Sequence, residues 1–249
     1  MTTIKANLKQ FKLSGMARTF EERVHYAEKN SIPYREFLEI LLEDEANNRK
    51  DNNYKKRCLQ ARLPAKKTIE EFDFAFQPSL DKKQINTLAT CQFIKETKNI
   101  IFIGKPGTGK THLSIGIGIK GLQKGYKVLF TGVGEMLKNL HSSKADNSYS
   151  KKIREYLDPH LLILDELGFK KIPDYSADDF FDIISKRYEK GSLIITTNKP
   201  IDQWGEIFSD NILTSAISDR IIHHSEIIKV IGPSFRRKDI INKQEDKEG

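Results

Sequence analysis

A chain of 249 residues with 38% hydrophobic residues and a mean hydropathy of −0.53 can fill a globular core but not a bilayer. No apolar stretch approaches the length of a membrane span, and Met1-Thr2-Thr3-Ile4-Lys5 lacks the hydrophobic region of a signal peptide. The two cysteines, Cys58 and Cys91, suit a reducing cytoplasm and support neither a disulfide framework nor a zinc site, while a net charge of +8 and a pI near 9.2 point to a polyanionic partner.

In chain order, residues 4–29 have helical spacing. Ile4, Leu8 and Phe11 share one face, which Met16, Phe20, Val24 and Ala27 continue, with a bend or break at Ser14-Gly15. A second helix begins near Ser31 and Pro33 and carries Phe37, Leu38, Leu41 and Leu42, with Glu43-Asp44-Glu45 on its wet side. From Arg49 to Lys67 the basic residues Arg49, Lys50, Lys55, Lys56, Arg57, Arg62, Lys66 and Lys67 outnumber the single acid Asp51. The stretch reads equally as a phosphate-backbone contact surface and as a solvated helix face. Residues 1–66 thus form a small helical domain suited to docking on DNA or a partner, and residues 67–249 a second, larger domain.

In the connector, Phe72, Phe74 and Phe76 alternate. They either fasten the connector to the next domain, the favoured reading, or wall a pocket beside the loop that follows. A helix from Asp81 to about Lys95 leads to Ile100–Ile103 and the run Gly104-Lys105-Pro106-Gly107-Thr108-Gly109-Lys110-Thr111. This is the phosphate-loop pattern G-x-x-x-x-G-K-[ST]. Its backbone N–H groups cradle phosphates, Lys110 reaches the β and γ oxygens, and the Thr111 hydroxyl binds Mg²⁺. A helix over His112–Lys124 supplies its N-terminal partial charge, and Gly116, Gly118 and Gly121 within it imply close packing.

Apolar strands at Ile100–Ile103, Val128–Thr131, Leu161–Leu164, Leu193–Thr197 and Ile227–Ile231 alternate with helical segments, which predicts an α/β fold with a parallel sheet between helices. The polar segment His141–Ser150 reads as a mobile surface loop. Leu161-Leu162-Ile163-Leu164-Asp165-Glu166 ends a buried strand in two carboxylates, so that Asp165 can hold Mg²⁺ and Glu166 can polarise an attacking water. Asn198, at the end of the adjacent strand, can orient that water or touch the γ-phosphate. The Asp165-Glu166 pair favours hydrolysis of ATP over a small-molecule kinase reaction, for which nothing marks an acceptor pocket. His223 and His224, as neighbours on a strand, would point to opposite faces and read as structural.

These motifs resemble the AAA+ ATPases, and the whole chain, from Leu13-Ser14-Gly15-Met16-Ala17 to Gly232-Pro233-Ser234-Phe235-Arg236, is similar to the IstB family of transposition helper ATPases. Residues 36–45, Phe76-Gln77-Pro78-Ser79-Leu80-Asp81, Leu164-Asp165-Glu166-Leu167-Gly168, Arg187-Tyr188-Glu189-Lys190-Gly191-Ser192 and the segment 218–225 also carry the likeness. The resemblance implies a five-stranded AAA+ P-loop domain after a small N-terminal helical domain, with little or no C-terminal lid. It also implies assembly on double-stranded DNA with ATP and Mg²⁺, as a homo-oligomer with nucleotide sites at subunit interfaces, in order to present target DNA to an IstA-like transposase. DnaC-type helicase loaders, which bind single strands, share the core and supply the second reading; an ATP-gated scaffold with negligible turnover is a third. By the same resemblance Arg220 is the arginine finger of a neighbouring subunit's site; without it, an ion pair with Asp219 or Glu226 is the plainer reading. Arg236, in Ser234-Phe235-Arg236, would sense nucleotide. The expected nucleotide-binding set is then Gly104 to His112 with Arg236, the metal ligands Thr111 and Asp165, and the catalytic residues Lys110, Glu166, Asn198 and Arg220. Lys105 and Lys170-Lys171 depart from the family's usual residues and add positive charge near the nucleotide edge.

Overall fold

The structure is a computed structural model and describes residues 3–208 and 210–237. The described residues fall into two compact units, divided between Leu59 and Gln60.

The first unit is helical: α1 (Thr3–Gln10), α2 (Ser14–Asn30) and most of α3 (Tyr34–Gln60). The chain turns at Phe11–Leu13, where Lys12 adopts φ +58°, so the break falls just before Ser14-Gly15 and those two residues open α2. Gly15 serves packing: a Cβ there would lie 2.7 Å from both Asp44 O and Glu45 Cα, so α2 and α3 approach to backbone contact. A small core of Met16, Phe20 and Leu41 forms beside that contact. The buried Glu45 carboxylate accepts the Gly15 N–H at 2.7 Å and the Met16 N–H at 3.3 Å, meeting the orphan donors and partial positive charge of the α2 N-terminus. The basic stretch after Arg49 continues α3 to Gln60, with Lys50, Lys55 and Lys56 exposed.

The second unit holds a sheet of five parallel strands: β1 (Asn99–Gly104), β2 (Val128–Gly132), β3 (Leu161–Leu167), β4 (Ser192–Thr197) and β5 (Ser225–Val230), in the order β2-β3-β4-β1-β5. The strand segments named from sequence all form, β5 beginning two residues earlier than expected and ending one earlier. The three central strands are apolar runs because both faces are covered. Ile101, Leu162, Leu164, Leu193 and Ile195 join one core cluster with α7 (Val133–Ala145), α8 (Tyr149–Leu157), α9 (Asp174–Arg187) and α10 (Asn211–Ile222). The intervening Ile163 meets α6 (Lys110–Gln123), where a Cβ on Gly118 would lie 2.9 Å from Ile163 Cδ1. A Cβ on Gly116 would come within 2.8 Å of Ile69 Cγ1 and 3.1 Å of its backbone N, so the helix after the loop packs as closely as its glycines imply.

Two expectations need correction. His141–Ser150 is not a loop: α7 runs through Ala145 and α8 starts at Tyr149, with Ser143 buried. Its polar side chains mislead because they lie on the wet faces of helices whose Met136, Leu137, Leu140, Ile153 and Tyr156 enter the core. The helix after Asp81 is two, α4 (Lys82–Ala89) and α5 (Gln92–Lys95), broken at Cys91 with φ +58°. No helix among the described residues is long and apolar enough to cross a membrane. The C-terminal segment expected to leave little room for a lid lies beyond residue 237, outside the described residues.

Candidate nucleotide site

The parallel sheet brings the C-terminal ends of β1, β3 and β4 to one edge, where ligands of open α/β sheets bind. The chain leaves β1 through the loop and enters α6 at Lys110. Gly107 and Gly109 take φ +84° and +97°, a region costly for any residue with a Cβ. A Cβ on Gly109 would also strike the Phe72 ring, 2.6 Å away. Lys110 is largely buried and its ammonium donates to the carbonyls of Gly104 and Lys105 at 2.7 and 2.9 Å. Burial holds its pKa below the usual lysine value and the nearby Arg236 lowers it further, against the opposing charges of Asp165 and Glu166.

Asp165 and Glu166 end the apolar run of β3. The Thr111 hydroxyl donates to Asp165 at 2.9 Å, so the loop helix and β3 are joined where the metal ligands were expected. Thr196, which sequence reasoning missed, donates its hydroxyl to Asp165 Oδ1 at 2.5 Å and accepts the Glu166 N–H at 3.0 Å. Its signal was faint, since Thr196 stands two residues before Asn198 inside a strand and reads as strand core. Glu166 is exposed, with φ +63°, at an irregularity in the β3–β4 register between Leu164 and Leu167. The bulge turns its carboxylate out of the sheet and into the cleft.

A cleft of about 310 Å³ is lined by Pro106 to His112, Glu166, Thr196 to Asn198, and Phe235 and Arg236. Phe72 also lines it, packed edge-on against Phe74 at 4.9 Å and against His112 at 5.3 Å, so it both fastens the connector and walls the pocket. Phe74 and Phe76 are not among its walls; Phe76 packs on Phe235 at 5.4 Å. The C-terminal segment closes over the loop: Phe235 N donates to Gly107 O at 2.9 Å, and Gln77 Nε2 donates to Pro233 O at 2.8 Å. Gln77, buried and lining the cleft, is a second residue that sequence reasoning missed.

Arg220 is not in this cleft. It sits in the last turn of α10, which leads into the start of β5, whereas the loop leaves the end of β1. Because Asn99 pairs with Ser225 and Gly104 with Val230, the two sites lie at opposite sheet edges, roughly 17 Å apart along the strands. Arg220 donates to Ala216 O at 2.9 Å and lies over the Phe181 ring at 5.0 Å. Among the described residues the ion pair with Asp219 or Glu226 does not form; Glu226 instead accepts from Gln84.

A family model described as IstB-like ATP binding protein matches residues 6–243. The chain is 38% identical over 239 residues to an insertion sequence IS21 ATP-binding protein of Pseudomonas aeruginosa, covering 96% of this chain and 90% of that protein. It is 36% identical over 243 residues to an insertion sequence IS232 ATP-binding protein of Bacillus thuringiensis, covering 98% and 97%. Among solved structures it is similar in fold to AMPPCP-bound DnaA from Aquifex aeolicus, with a TM-score of 0.57, 21% identity and coverage of 74% of this chain and 56% of that one. The DnaC helicase loader gives a TM-score of 0.53 with 21% identity, covering 60% of this chain and 87% of that one.

Proposed function

The chain belongs to the IstB-like ATP-binding protein family, and on that premise we propose that it is a cytoplasmic, DNA-dependent ATPase that serves insertion-sequence transposition. It binds ATP, assembles as a homo-oligomer on duplex DNA, and presents that DNA to an IstA-like transposase whose activity it regulates. The observation that carries the reading is the convergence of Lys110, Thr111, Asp165, Glu166 and Asn198 on one sheet edge, with Thr111 and Asp165 in direct contact.

In this reading the loop N–H groups within Gly104 to Thr111, Pro106 excepted because it has none, hold the phosphates, Lys110 exchanges its two carbonyl acceptors for phosphate oxygens, and His112 and Arg236 border the nucleotide. Thr111 and Asp165 present hard oxygen donors side by side, a set that fits Mg²⁺, and they would hold it. Bound there, the ion would supply neutralisation of phosphate charge. Glu166 takes a proton from the attacking water, which Asn198 orients, and Arg220 acts on the site of the adjacent subunit. The exposed lysines of α3, with the overall charge of +8, suit contact with the DNA backbone.

Gel-shift binding to matched duplex and single-stranded DNA, with ATP and without nucleotide, at several salt concentrations, tests the DNA arm. Cooperative, ATP-dependent, sequence-indifferent duplex binding is the expected result. A single-strand preference would replace this reading with a helicase loader, and no binding to either strand form would overturn both.

A further inference from the structure

A second cluster of ligating side chains lies at the opposite edge of the sheet. His223 is the C-cap of α10, with φ −49° and ψ −37°, and its N–H still donates to Asp219 O at 3.0 Å. The two histidines therefore continue a helical turn before β5 begins at Ser225, and the strand geometry that would send them to opposite faces does not apply. Their rings lie 4.0 Å apart at 52°. The α9–β4 turn brings Glu189 to them in the left-handed region, at φ +57°. One nitrogen of each histidine and one carboxylate oxygen of Glu189 lie within 4.8 Å of one another.

We propose that Glu189, His223 and His224 form a binding site for a borderline divalent cation of the Zn²⁺ class. Two imidazoles and one carboxylate form a zinc donor set, with a fourth position left to water, and imidazole disfavours Mg²⁺ and Ca²⁺. His224 Nε2 and Glu189 Oε1 stand 3.2 Å apart. Two ligands on a tetrahedral zinc with bonds near 2.0–2.1 Å are separated by roughly 3.3 Å, so this edge needs no rearrangement. The metal takes the place of the proton that now joins the two groups. Tyr188 Oη lies 2.8 Å from His223 Nδ1; accepting the Nδ1–H, it leaves Nε2 free to ligate, the outer-shell support that metal-bound histidines usually have.

The frame is fixed from behind. Asn99 N donates to His224 O at 2.8 Å, and Lys190 N and Gly191 N both donate to the carbonyl of the buried Arg187, at 2.9 and 3.1 Å, which shapes the turn that holds Glu189. Glu189 and His223 are exposed, so the cation has an open path. A metal here fastens the α9–β4 turn to the end of α10, the helix whose last turn carries Arg220. The site stands on its own geometry and does not depend on the nucleotide reading.

The test is titration of the tag-free, chelator-treated full chain with Co²⁺, read by visible d–d absorption, followed by displacement with Zn²⁺. One saturable equivalent is expected, with the absorption of a four-coordinate site. His224→Ala and Glu189→Gln should each weaken binding by about a hundredfold, and Tyr188→Phe by about tenfold, the range for loss of an outer-shell partner. His141→Ala and Cys58→Ser should leave it unchanged. Far-UV circular dichroism of each metal-free variant separates lost ligation from lost fold; if His224→Ala unfolds, Glu189→Gln decides. Absence of saturable Co²⁺ binding, binding indifferent to Glu189→Gln, or a thiolate charge-transfer band that vanishes with Cys58→Ser would overturn the assignment.

Discussion

The Thr196 hydroxyl donates to Asp165 Oδ1 at 2.5 Å while accepting the backbone N–H of Glu166, so one buried residue of β4 fixes the orientation of one acid and the backbone of the next. Thr196→Val keeps the shape and removes both bonds, leaving the part-buried Glu166 N–H and the buried Asp165 carboxylate each short of a partner at a cost of about 1 kcal/mol or more. The expected result is a lower unfolding midpoint in urea and a fall in kcat of about tenfold or more, with ATP affinity changed less. Unchanged turnover in Thr196→Val would show that the β3 acids do not need this support.

Glu166 holds a left-handed backbone that glycine adopts freely. Glu166→Gly should therefore abolish hydrolysis yet raise stability by about 1 kcal/mol, or roughly 2–4 °C in Tm for a chain of this size. Glu166→Gln, which keeps the strain, should lose turnover with no gain in Tm and retain ATP binding. Calorimetry beside an ATPase assay checks both. Equal melting temperatures for the two variants would mean that the bulge, and not the residue, sets the local energy.

Much of this was legible because its physics is local. Five apolar runs between helical segments predict a covered parallel sheet, and the glycine spacing of 104–111 has few structural uses other than cradling phosphate. What escaped notice depends on residues far apart in sequence. Thr196 meets Asp165 across a parallel strand pair, and Gln77 meets Pro233 over 156 positions, neither marked by an unusual residue. The 141–150 segment misled because a polar face reads as a loop when the buried positions are widely spaced. His223-His224 misled because they precede β5 and form the turn that caps α10, where His223 still has helical backbone angles, so the alternation of a strand does not separate them.

Arg187 is 2% exposed and sends its guanidinium into five carbonyls, those of Tyr156, Leu157, Pro159, His160 and Ser192, at 2.9 to 3.4 Å. Burial pushes its pKa down to about 10, which still leaves it charged at neutral pH. It ties the end of α8 to the start of β4, and a Cβ on Gly191 would lie 2.6 Å from its Nη2. Arg187→Met should cost about 3–5 kcal/mol, since it takes the donor from five carbonyls at once, two of these bonds being buried. Arg187→Lys should recover only part of this, because an ammonium cannot reach so wide a set of acceptors. Urea unfolding of the two variants tests the order.

The helical unit carries its own acid sensitivity. Burial works to raise the Glu45 pKa, but Arg49 and the N–H groups of Gly15 and Met16 outweigh it, so the folded value lies below the usual one. The bidentate hydrogen bond from Arg23 lowers Asp44 in the same way, against burial. A depressed carboxylate stabilises fully above its unfolded pKa, about 4.3 for Glu and 3.9 for Asp, and that stability is lost as pH falls through the folded value. Stability should thus be level from neutral pH to about 5 and decline below about 4. Glu45→Gln should lose about 1–3 kcal/mol at pH 7 and flatten that decline. Equal acid transitions for the wild type and Glu45→Gln would remove Glu45 as their source.

Arg220 lies at the sheet edge opposite its own nucleotide cleft, so any action on a γ-phosphate must come from another subunit. In that case Arg220→Ala alone should bind ATP normally and hydrolyse it about 10³-fold or more slowly. Glu166→Ala alone should also be nearly inactive, but for loss of the chemistry within its own cleft. In a mixture of the two, some interfaces pair an intact Glu166 cleft with an intact Arg220 from the neighbour, and at those interfaces both defects are absent. Activity should therefore rise in the mixture and peak near equal proportions, read as phosphate release at constant total protein. If no ratio exceeds the sum of the separate rates, although both variants still assemble, the trans role of Arg220 fails.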